Sequence, residues 1–381
     1  MRASSKVAIV VAIALAGCLA AYGQTPAATQ LQVLVPDNRD EIQPINPQNI
    51  GPSGDRPVGA DVLLKEITPE VAAKVKNGNY TSAIAFHTTG TDWPRLQEEG
   101  IRAVLKQFNI KLLTVTDAEF KVDKQVSDIE SIIQLKPDLL IGFCVDRQGD
   151  AAIYRKAKDA GIKISFMDTL PIDFKYPADY AGLTLADNYE AGVVAAKMLA
   201  EAIGKKGQVA VMWFPISMFH VDQRYYGIMA TLKQYPDIKV VDVQKPADTE
   251  KAATVTENWL TAYPNLKGIV SIVDFTAMGA VGVITSSGRD IKVTGVDLSE
   301  DSAYAIATGS PLIGVASQHP YDQGISEALV GVLTLAGLKT PPYIVVPIEK
   351  VTRQSVARAY ARVFRKEPPA QLKAAFDKIP Q

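Results

Sequence analysis

Residues 82–115 read SAIAF-HTTGTDWPR-LQEEGIRAVLKQF-NI-KLLTV, and their pattern indicates the class of fold. Its apolar five-residue runs at 82–86 and 111–115 are typical of buried strands. The segment between them, 96–108, repeats apolar residues at the spacing of one helix face. A strand, a helix and a second strand in this order predict the βαβ unit of a parallel sheet.

The same alternation continues along the chain to about residue 336. Because roughly ten strands with matching helices are too many for one compact doubly wound sheet, we expect two α/β lobes. Further strands are predicted at 138–143, 163–167, 208–213, 238–243, 268–273, 292–296 and 312–316, and further helices at 126–135, 190–203, 223–234, 250–263, 277–285 and 323–336.

The first residues have the pattern of an export signal, predicted here as a signal peptide over 1–23. Arg2 and Lys6 precede an eleven-residue apolar run, Val7–Gly17, which is too short to span a bilayer comfortably. The run ends in LAGC at 15–18, which resembles a bacterial lipobox and makes Cys18 a candidate for lipidation. Cleavage before Gln24 is the alternative, and either outcome places the protein in the periplasm or on the exterior of the cell envelope.

Residues 24–78 are rich in proline and polar side chains, so we expect a tether or extended arm followed by a short helix. Thr68 and Pro69 are suited to the N-cap and first position of that helix. It is predicted to run through Val75.

Composition and motifs exclude several classes of function. The chain has 40 basic and 41 acidic side chains and a formal charge of −1, which argues against nucleic-acid binding. Cys144 is the one cysteine after the export segment, so no disulfide or cysteine-based metal site is expected, and His87, His220 and His319 lack metal-ligand spacing. Motifs for phosphate-binding loops, dinucleotides and common hydrolases are missing as well. We therefore expect no metal, no cofactor and no enzymatic activity.

Four later segments resemble one known family, the periplasmic solute-binding proteins of the ribose/galactose type. The segment DNYEAG at 187–192, followed by AAKML at 195–199, resembles the opening of that family's second lobe. The others are DAGIKISFMD at 159–168, VTGVD at 293–297 and QHPYDQG at 318–324. Their order and spacing agree with the family from about Tyr80 to Thr352.

This resemblance implies a type 1 periplasmic binding fold: α/β, with two doubly wound parallel-sheet lobes joined by a three-stranded hinge. The N-terminal lobe would comprise 79–183 plus 318–347, and the C-terminal lobe with its tail 184–317 plus 348–381. It further implies a monomer that binds a sugar or polyol between the lobes and delivers it to an ABC-type membrane permease. The membrane would be contacted only through an anchor at Cys18. A sensory protein that binds autoinducer-2 or a sugar and presents its closed form to a membrane receptor is the alternative.

The resemblance also implies a set of ligand-binding residues, most of them just after strands. A site for hydroxyl groups needs carboxylates, amides or guanidinium groups together with an aromatic face. Phe219, His220 and Tyr321 are expected nearby, whereas Thr169 and Val273 depart from the family pattern and leave the ligand's identity open. The richness in carboxylates favours a neutral polyol or a cationic ligand. The predicted contacts are Asp92, Trp93, Asp146, Asp168, Arg224, Asp274, Asp297 and Gln318.

Three of these positions have a second interpretation. Trp93 is also suited to packing the following helix against its lobe. Asp146 is equally well explained as a helix cap. Arg224 is alternatively a solvated surface arginine.

Overall fold

A computed structural model describes residues 41–216 and 218–377. The predicted signal peptide, the candidate lipidation site Cys18 and residues 24–40 lie outside the described residues. The chain forms two α/β lobes, each built around its own sheet, as predicted. Within the described ranges, no helix is both long and apolar enough to cross a membrane.

The first lobe contains a seven-stranded sheet in which every pairing is parallel, with the strand order β1-β12-β6-β5-β4-β2-β3. Its strands are β1 (Val58–Gly59), β2 (Thr81–Phe86), β3 (Lys111–Asp117), β4 (Leu139–Phe143), β5 (Lys163–Met167), β6 (Gly182–Ala186) and β12 (Tyr343–Val346). Its helices are α1 (Asp61–Lys65), α2 (Pro69–Lys76), α3 (Asp92–Gln107), α4 (Val122–Leu135), α5 (Ala151–Asp159) and α11 (Pro320–Leu335).

The second lobe contains a six-stranded sheet with the order β13-β11-β10-β9-β7-β8, parallel except for the antiparallel pair β11–β13. Its strands are β7 (Gly207–Met212), β8 (Ile238–Gln244), β9 (Leu266–Ser271), β10 (Lys292–Val296), β11 (Leu312–Ser317) and β13 (Glu349–Thr352). Its helices are α6 (Asn188–Ala202), α7 (Phe219–Leu232), α8 (Thr249–Ala262), α9 (Asp274–Ser287), α10 (Glu300–Thr308), α12 (Val356–Phe364) and α13 (Ala370–Asp377).

The chain passes between the two sheets three times, after β6, after β11 and between β12 and β13. Strand β6 pairs with β5 as far as Thr184 and with β12 as far as Ala186, so the first passage follows Ala186. The boundary expected between residues 183 and 184 is therefore three residues too early. The error arises because β6 is fully buried and carries no turn residue that would mark its end.

The tether predicted for the proline-rich region is wrong for residues 41–59. Asn49 is fully buried, Ile42 forms an antiparallel bridge with Glu349, and β1 pairs with the edge strand β12. Proline disfavours helix, but an extended chain with proline can still pair at a sheet edge. The short helix that follows agrees with expectation: α2 begins at Pro69, and Thr68 Oγ1 accepts a bond from the Val71 N–H.

Helices α6 and α7 of the second lobe are in direct backbone contact. A Cβ atom at Gly192 would lie 2.0 Å from the carbonyl oxygen of Arg224, and one at Gly227 would lie 2.2 Å from that of Tyr189. The first lobe uses the same device between α3 and α11, at Gly100 and Gly324. Glycine is needed at these positions for close approach, and the α6–α7 contact fixes the backbone from which the Arg224 side chain projects.

Replacing Gly192 by alanine should destabilise the fold by about 1–3 kcal/mol, because two helix backbones must separate to admit the methyl group. The matched control is Gly282→Ala in α9, where an added Cβ has no atom within 4 Å. That substitution should stabilise the protein by about 0.5–1 kcal/mol, since alanine is the better helix former. Urea unfolding of both variants measures the difference, and equal effects would refute the close-contact argument.

Candidate ligand-binding site

A cavity of about 160 Å³ lies between the lobes at the carboxyl ends of the strands. This is where open α/β sheets place their ligands. The volume is below the ~300–1,000 Å³ of pockets for drug-sized molecules, so the cavity is sized for one small ligand. Seven of the eight predicted contacts line it: Asp92, Trp93, Asp168, Arg224, Asp274, Asp297 and Gln318.

Asp297 is the residue on which the polar side of the cavity converges. It follows β10 directly, and its φ of 77° lies in the left-handed region that non-glycine residues rarely adopt. Its Oδ2 accepts a bond from Arg224 Nη1 at 2.9 Å, and its Oδ1 accepts one from Gln318 Nε2 at 2.5 Å. The carboxylate is thereby held in one orientation between the second lobe and the hinge.

Arg224 is a buried partner of that carboxylate, and only 3% of it is exposed. Its Nε donates to Asn188 Oδ1 at 2.8 Å, and its Nη1 also donates to the Ile272 carbonyl oxygen at 2.9 Å. The alternative of a solvated surface arginine is therefore wrong. Most of the guanidinium is engaged by the protein, so its main role in this arrangement is to orient Asp297.

Asp168 follows β5 in the first lobe and also has a left-handed backbone, with φ of 50°. Burial raises its pKa to about 8; the charge of Arg224 lowers the pKa, and that of Asp297 raises it. Among the described residues its Oδ1 has no hydrogen-bond partner. The pKa of Glu327 on α11 is likewise raised by burial and by Asp168. Asp168 is therefore protonated at neutral pH and can donate a hydrogen bond.

Asp274 begins α9 on the opposite wall. Burial raises its pKa to about 6, the charge of Asp297 raises it further, and a bond with Ser299 lowers it. The cavity thus combines a protonated carboxyl, a carboxyl that titrates near neutrality and a paired carboxylate. Such a set both donates and accepts hydrogen bonds, as hydroxyl groups do.

An aromatic cluster forms the apolar wall of the cavity. The His87 ring stacks on Phe143 with centroids 3.8 Å apart, and Trp93 meets both rings edge-on at 5.5 and 6.0 Å. Phe120 contacts His87 at 5.0 Å. Burial lowers the pKa of His87 to about 3, so its ring is uncharged. This wall presents flat apolar faces to a ligand.

The lobes approach each other closely across this wall. The ring centroids of Phe143 in the first lobe and His220 in the second lobe are 5.7 Å apart. His220 lines the cavity as expected, and burial, Arg224 and His87 together hold its pKa well below the usual value. Phe219 instead packs edge-on against Tyr343, and Tyr321 lies beneath the Arg365 guanidinium.

Two predicted carboxylates differ in placement. Asp92 lines the cavity in the first turn of α3, where its Oδ1 accepts from Arg95 at 2.9 Å. Asp146 is exposed and lies outside the cavity lining; its Oδ1 accepts from the N–H groups of Gln148 and Gly149. The local turn just before α5, close to the predicted capping role, accounts for Asp146.

Sequence reasoning missed His87, Phe120 and Phe143 as cavity residues. Each lies at or just after the carboxyl end of a strand, the position that correctly marked the aspartates. That positional rule, applied to aromatic side chains as well, would have found them.

The lone thiol and the histidines form no metal site. Cys144 is buried, and its pKa is raised by burial and by Asp150, as suits a small buried hydrophobe. Across 41–216 and 218–377, no group of three His, Cys, Asp or Glu side chains is arranged to hold a metal ion.

Residues 82–337 match the family described as periplasmic binding protein domain. The xylitol-binding protein of Mycolicibacterium smegmatis is 28% identical over 279 residues, covering 70% of this chain and 75% of the relative. The ribose import binding protein of Bacillus subtilis is 28% identical over 254 residues, covering 66% and 81%.

Solved structures of solute-binding proteins share the fold of this chain. The periplasmic solute-binding protein of an ABC transporter from Actinobacillus succinogenes, with bound D-allose, superposes with a TM-score of 0.67 at 28% identity. It covers 73% of this chain and 99% of its own. The solute-binding protein from Agrobacterium vitis with bound α-D-tagatopyranose has a TM-score of 0.69 at 22% identity, with coverage of 76% and 99%.

The raised pKa of Asp168 predicts a pH-dependent stability. An ordinary aspartate has a pKa of 3.8, whereas folded Asp168 keeps its proton to about 8. The unfolded chain therefore releases this proton first, and this group's contribution to stability falls as pH rises from about 4 to about 8. Asp168→Asn has no proton to release, so its stability relative to wild type should rise across that window by about 1.4 kcal/mol for each pH unit.

Urea unfolding at several pH values between about 5 and 9 measures this difference. The control is Asp146→Asn, which changes a side chain outside the cavity and keeps Asp168; like the wild type, it should lose stability as the pH rises toward about 8. A profile for Asp168→Asn parallel to that of the wild type would contradict the assignment of a buried, protonated carboxyl.

Proposed function

This chain belongs to the periplasmic binding protein domain family, and from that premise we propose that it binds one small sugar or polyol between its lobes for delivery to an ABC-type permease. The observation that carries the proposal is the cavity itself. Both lobes contribute to its surface, which combines an aromatic wall with a protonated carboxyl group, a carboxyl group that titrates near neutrality and a paired carboxylate.

Each half of the cavity suits a different part of such a ligand. The face of a sugar ring or the carbon chain of a polyol packs on the Trp93 and Phe143 rings. Hydroxyl groups bond to Asp168, Asp274 and Asp297, which offer donors as well as acceptors. An anionic ligand is disfavoured because four aspartates and one guanidinium line the cavity, and Arg224 is already paired with Asp297.

Binding is coupled to hinge closure in this proposal. Trp93 and Asp168 belong to the first lobe, whereas Asp274 and Asp297 belong to the second. A ligand that contacts both sets interacts fully only with the closed arrangement, and so shifts the population toward it. No covalent step is involved, and the protein acts as a carrier without turnover.

The relatives support this ligand class and the cellular setting. Proteins named for xylitol and ribose binding each align with about two thirds of the chain. We infer export from the sequence of residues 1–23 together with these relatives. Lipidation at Cys18 and cleavage before Gln24 both remain predictions. No observation on the described residues favours the sensory alternative.

A thermal-shift screen with xylitol, D-ribose, D-allose, allitol and myo-inositol tests the ligand class. A ligand at 100 times its Kd stabilises the folded state by about 2.7 kcal/mol, which raises Tm by several degrees. Autoinducer-2 serves as the probe for the sensory alternative. A response to none of the sugars and polyols, or turnover of any of them, would overturn the proposal.

Asp297→Asn should weaken binding of the best polyol or sugar in this screen at least tenfold, about 1.4 kcal/mol. The substitution removes the charge that Arg224 and Gln318 orient toward the cavity. Asp146→Asn is the matched control, because it removes the same charge from an exposed turn outside the cavity. Calorimetry on both variants gives the comparison, and an unchanged affinity in Asp297→Asn would remove this residue from the site.

A further inference from the structure

Residues 41–59, here called the N-terminal strap, run across the hinge and contact both lobes. The strap precedes the family match at 82–337. Its contacts are specific hydrogen bonds and strand pairings, made at both of its ends and at its centre.

The first lobe holds the strap through strand β12. Val58 of β1 pairs with Ile344 in parallel register. The buried hydroxyl of Tyr343 donates to Asn49 Oδ1 at 2.6 Å. Gly51 lies flat on the Tyr343 ring, where an added Cβ would be 3.0 Å from Cγ.

The second lobe holds the other end of the strap through β13 and α12. The Lys350 N–H donates to the Glu41 carbonyl oxygen at 2.7 Å, and the Glu41 carboxylate pairs with Arg358 at 2.5 Å. Helix α7 adds a bond from Gln223 Nε2 to the Ile50 carbonyl oxygen at 3.3 Å. A change in the angle between the lobes would displace these anchors relative to those on β12.

Asn46, at the centre of the strap, binds the first turn of α6. Its backbone N–H donates to Asp187 Oδ2 at 2.5 Å, and its side-chain Nδ2 donates to Glu190 Oε2 at 2.5 Å. Asp187 is the N-cap of α6, with Oδ1 accepting from the Glu190 N–H at 3.0 Å. Burial raises the pKa of Asp187 to about 7, and the bond from Asn46 lowers it.

Asn188, the residue after Asp187, connects this helix turn to the cavity. Asn188 is fully buried; its Nδ2 donates to the Ala186 carbonyl oxygen, and its Oδ1 accepts from Arg224 Nε at 2.8 Å. Arg224 in turn orients Asp297. A continuous series of hydrogen bonds and one helix turn therefore connects Asn46 to the carboxylate at the centre of the cavity.

We propose that Asn46 is a positioning residue: by holding the first turn of α6, it sets the orientation of Arg224 and Asp297, and the strap around it braces the hinge in the closed arrangement. This role of Asn46 is present in the protein without any solute, and the strap lies outside the family match.

Hydrogen–deuterium exchange of the ligand-free full chain tests the proposal. Asn46→Ala removes the bond to Glu190, so amides at 187–192 and 296–299 should exchange about tenfold faster, the loss expected for one hydrogen bond to a charged group. Amides of α4, remote from the strap, should be unchanged. Gln48→Ala, an exposed position of the same strap, is the matched control and should match wild type throughout.

A double variant that exchanges the hydrogen-bond donor and acceptor between positions 46 and 190 distinguishes a positioning role from a general effect on stability. Asn46→Asp alone places a carboxylate against Glu190 and should increase exchange in the same segments. Adding Glu190→Gln restores a donor and an acceptor in the opposite direction, and should return exchange toward wild type. Small-angle scattering should show a larger radius of gyration for Asn46→Ala and Asn46→Asp, and a wild-type value for the double variant.

Exchange that rises uniformly along the chain, or that is equal in Asn46→Ala and Gln48→Ala, would overturn the proposal. So would a double variant that fails to restore the α6 segment. Since hydrogen–deuterium exchange and scattering are both measured without solute, these outcomes are independent of whether the protein binds a sugar or polyol.

Discussion

The buried guanidinium of Arg224 is the constraint around which the second lobe is organised. A cation withdrawn from water is tolerated only if charge and hydrogen bonds compensate it, so its partners must be placed accurately. Those partners come from separate elements: Asn188 from α6, the Ile272 carbonyl after β9, and Asp297 after β10. The glycine contact between α6 and α7 brings the backbone close enough for these bonds to form. Satisfying one buried charge thereby sets the shape of one wall of the cavity.

The same pairing determines the chemistry of the remaining carboxyl groups. With the charge of Arg224 matched by Asp297, burial and the nearby Asp297 charge raise the pKa values of Asp168 and Asp274. Asp168 and Asp274 therefore titrate at or near neutral pH, and the cavity offers hydrogen-bond donors and acceptors without an added cation. Asp168 and Asp297, one from each lobe, both have left-handed backbones after their strands, a conformation that surrounding structure must impose and that is common at functional sites.

Much of the fold and most of the candidate site could be predicted from residue patterns. The nine predicted strands, β2–β5 and β7–β11, agree with the structure to within two residues at either end, because buried parallel strands are short apolar runs bounded by polar turns. Strands β6 and β12 were not predicted. Seven of eight predicted contacts line the cavity because the carboxyl ends of parallel strands meet at one edge, so position relative to a strand implies position in space. Asp146 also comes after a strand, but it lies outside the cavity lining, because its carboxylate accepts hydrogen bonds within the local turn. Phe143 and His87 were overlooked because the rule was applied mainly to polar side chains, although both residues lie at or just after the carboxyl end of a strand.

Residue patterns alone were enough for the two α/β lobes and for the chemical types available at the cleft, since these depend on local periodicity and on residues next to strands. How those groups share charge became visible in three dimensions: Arg224 pairs with Asp297, Asp168 keeps its proton, and aromatic rings of both lobes meet. The tertiary structure also placed residues 41–59 across the hinge, paired with both lobes, where composition had indicated a tether or extended arm. Pairing, burial and ionisation depend on distances between segments far apart in the chain, and no local pattern contains those distances.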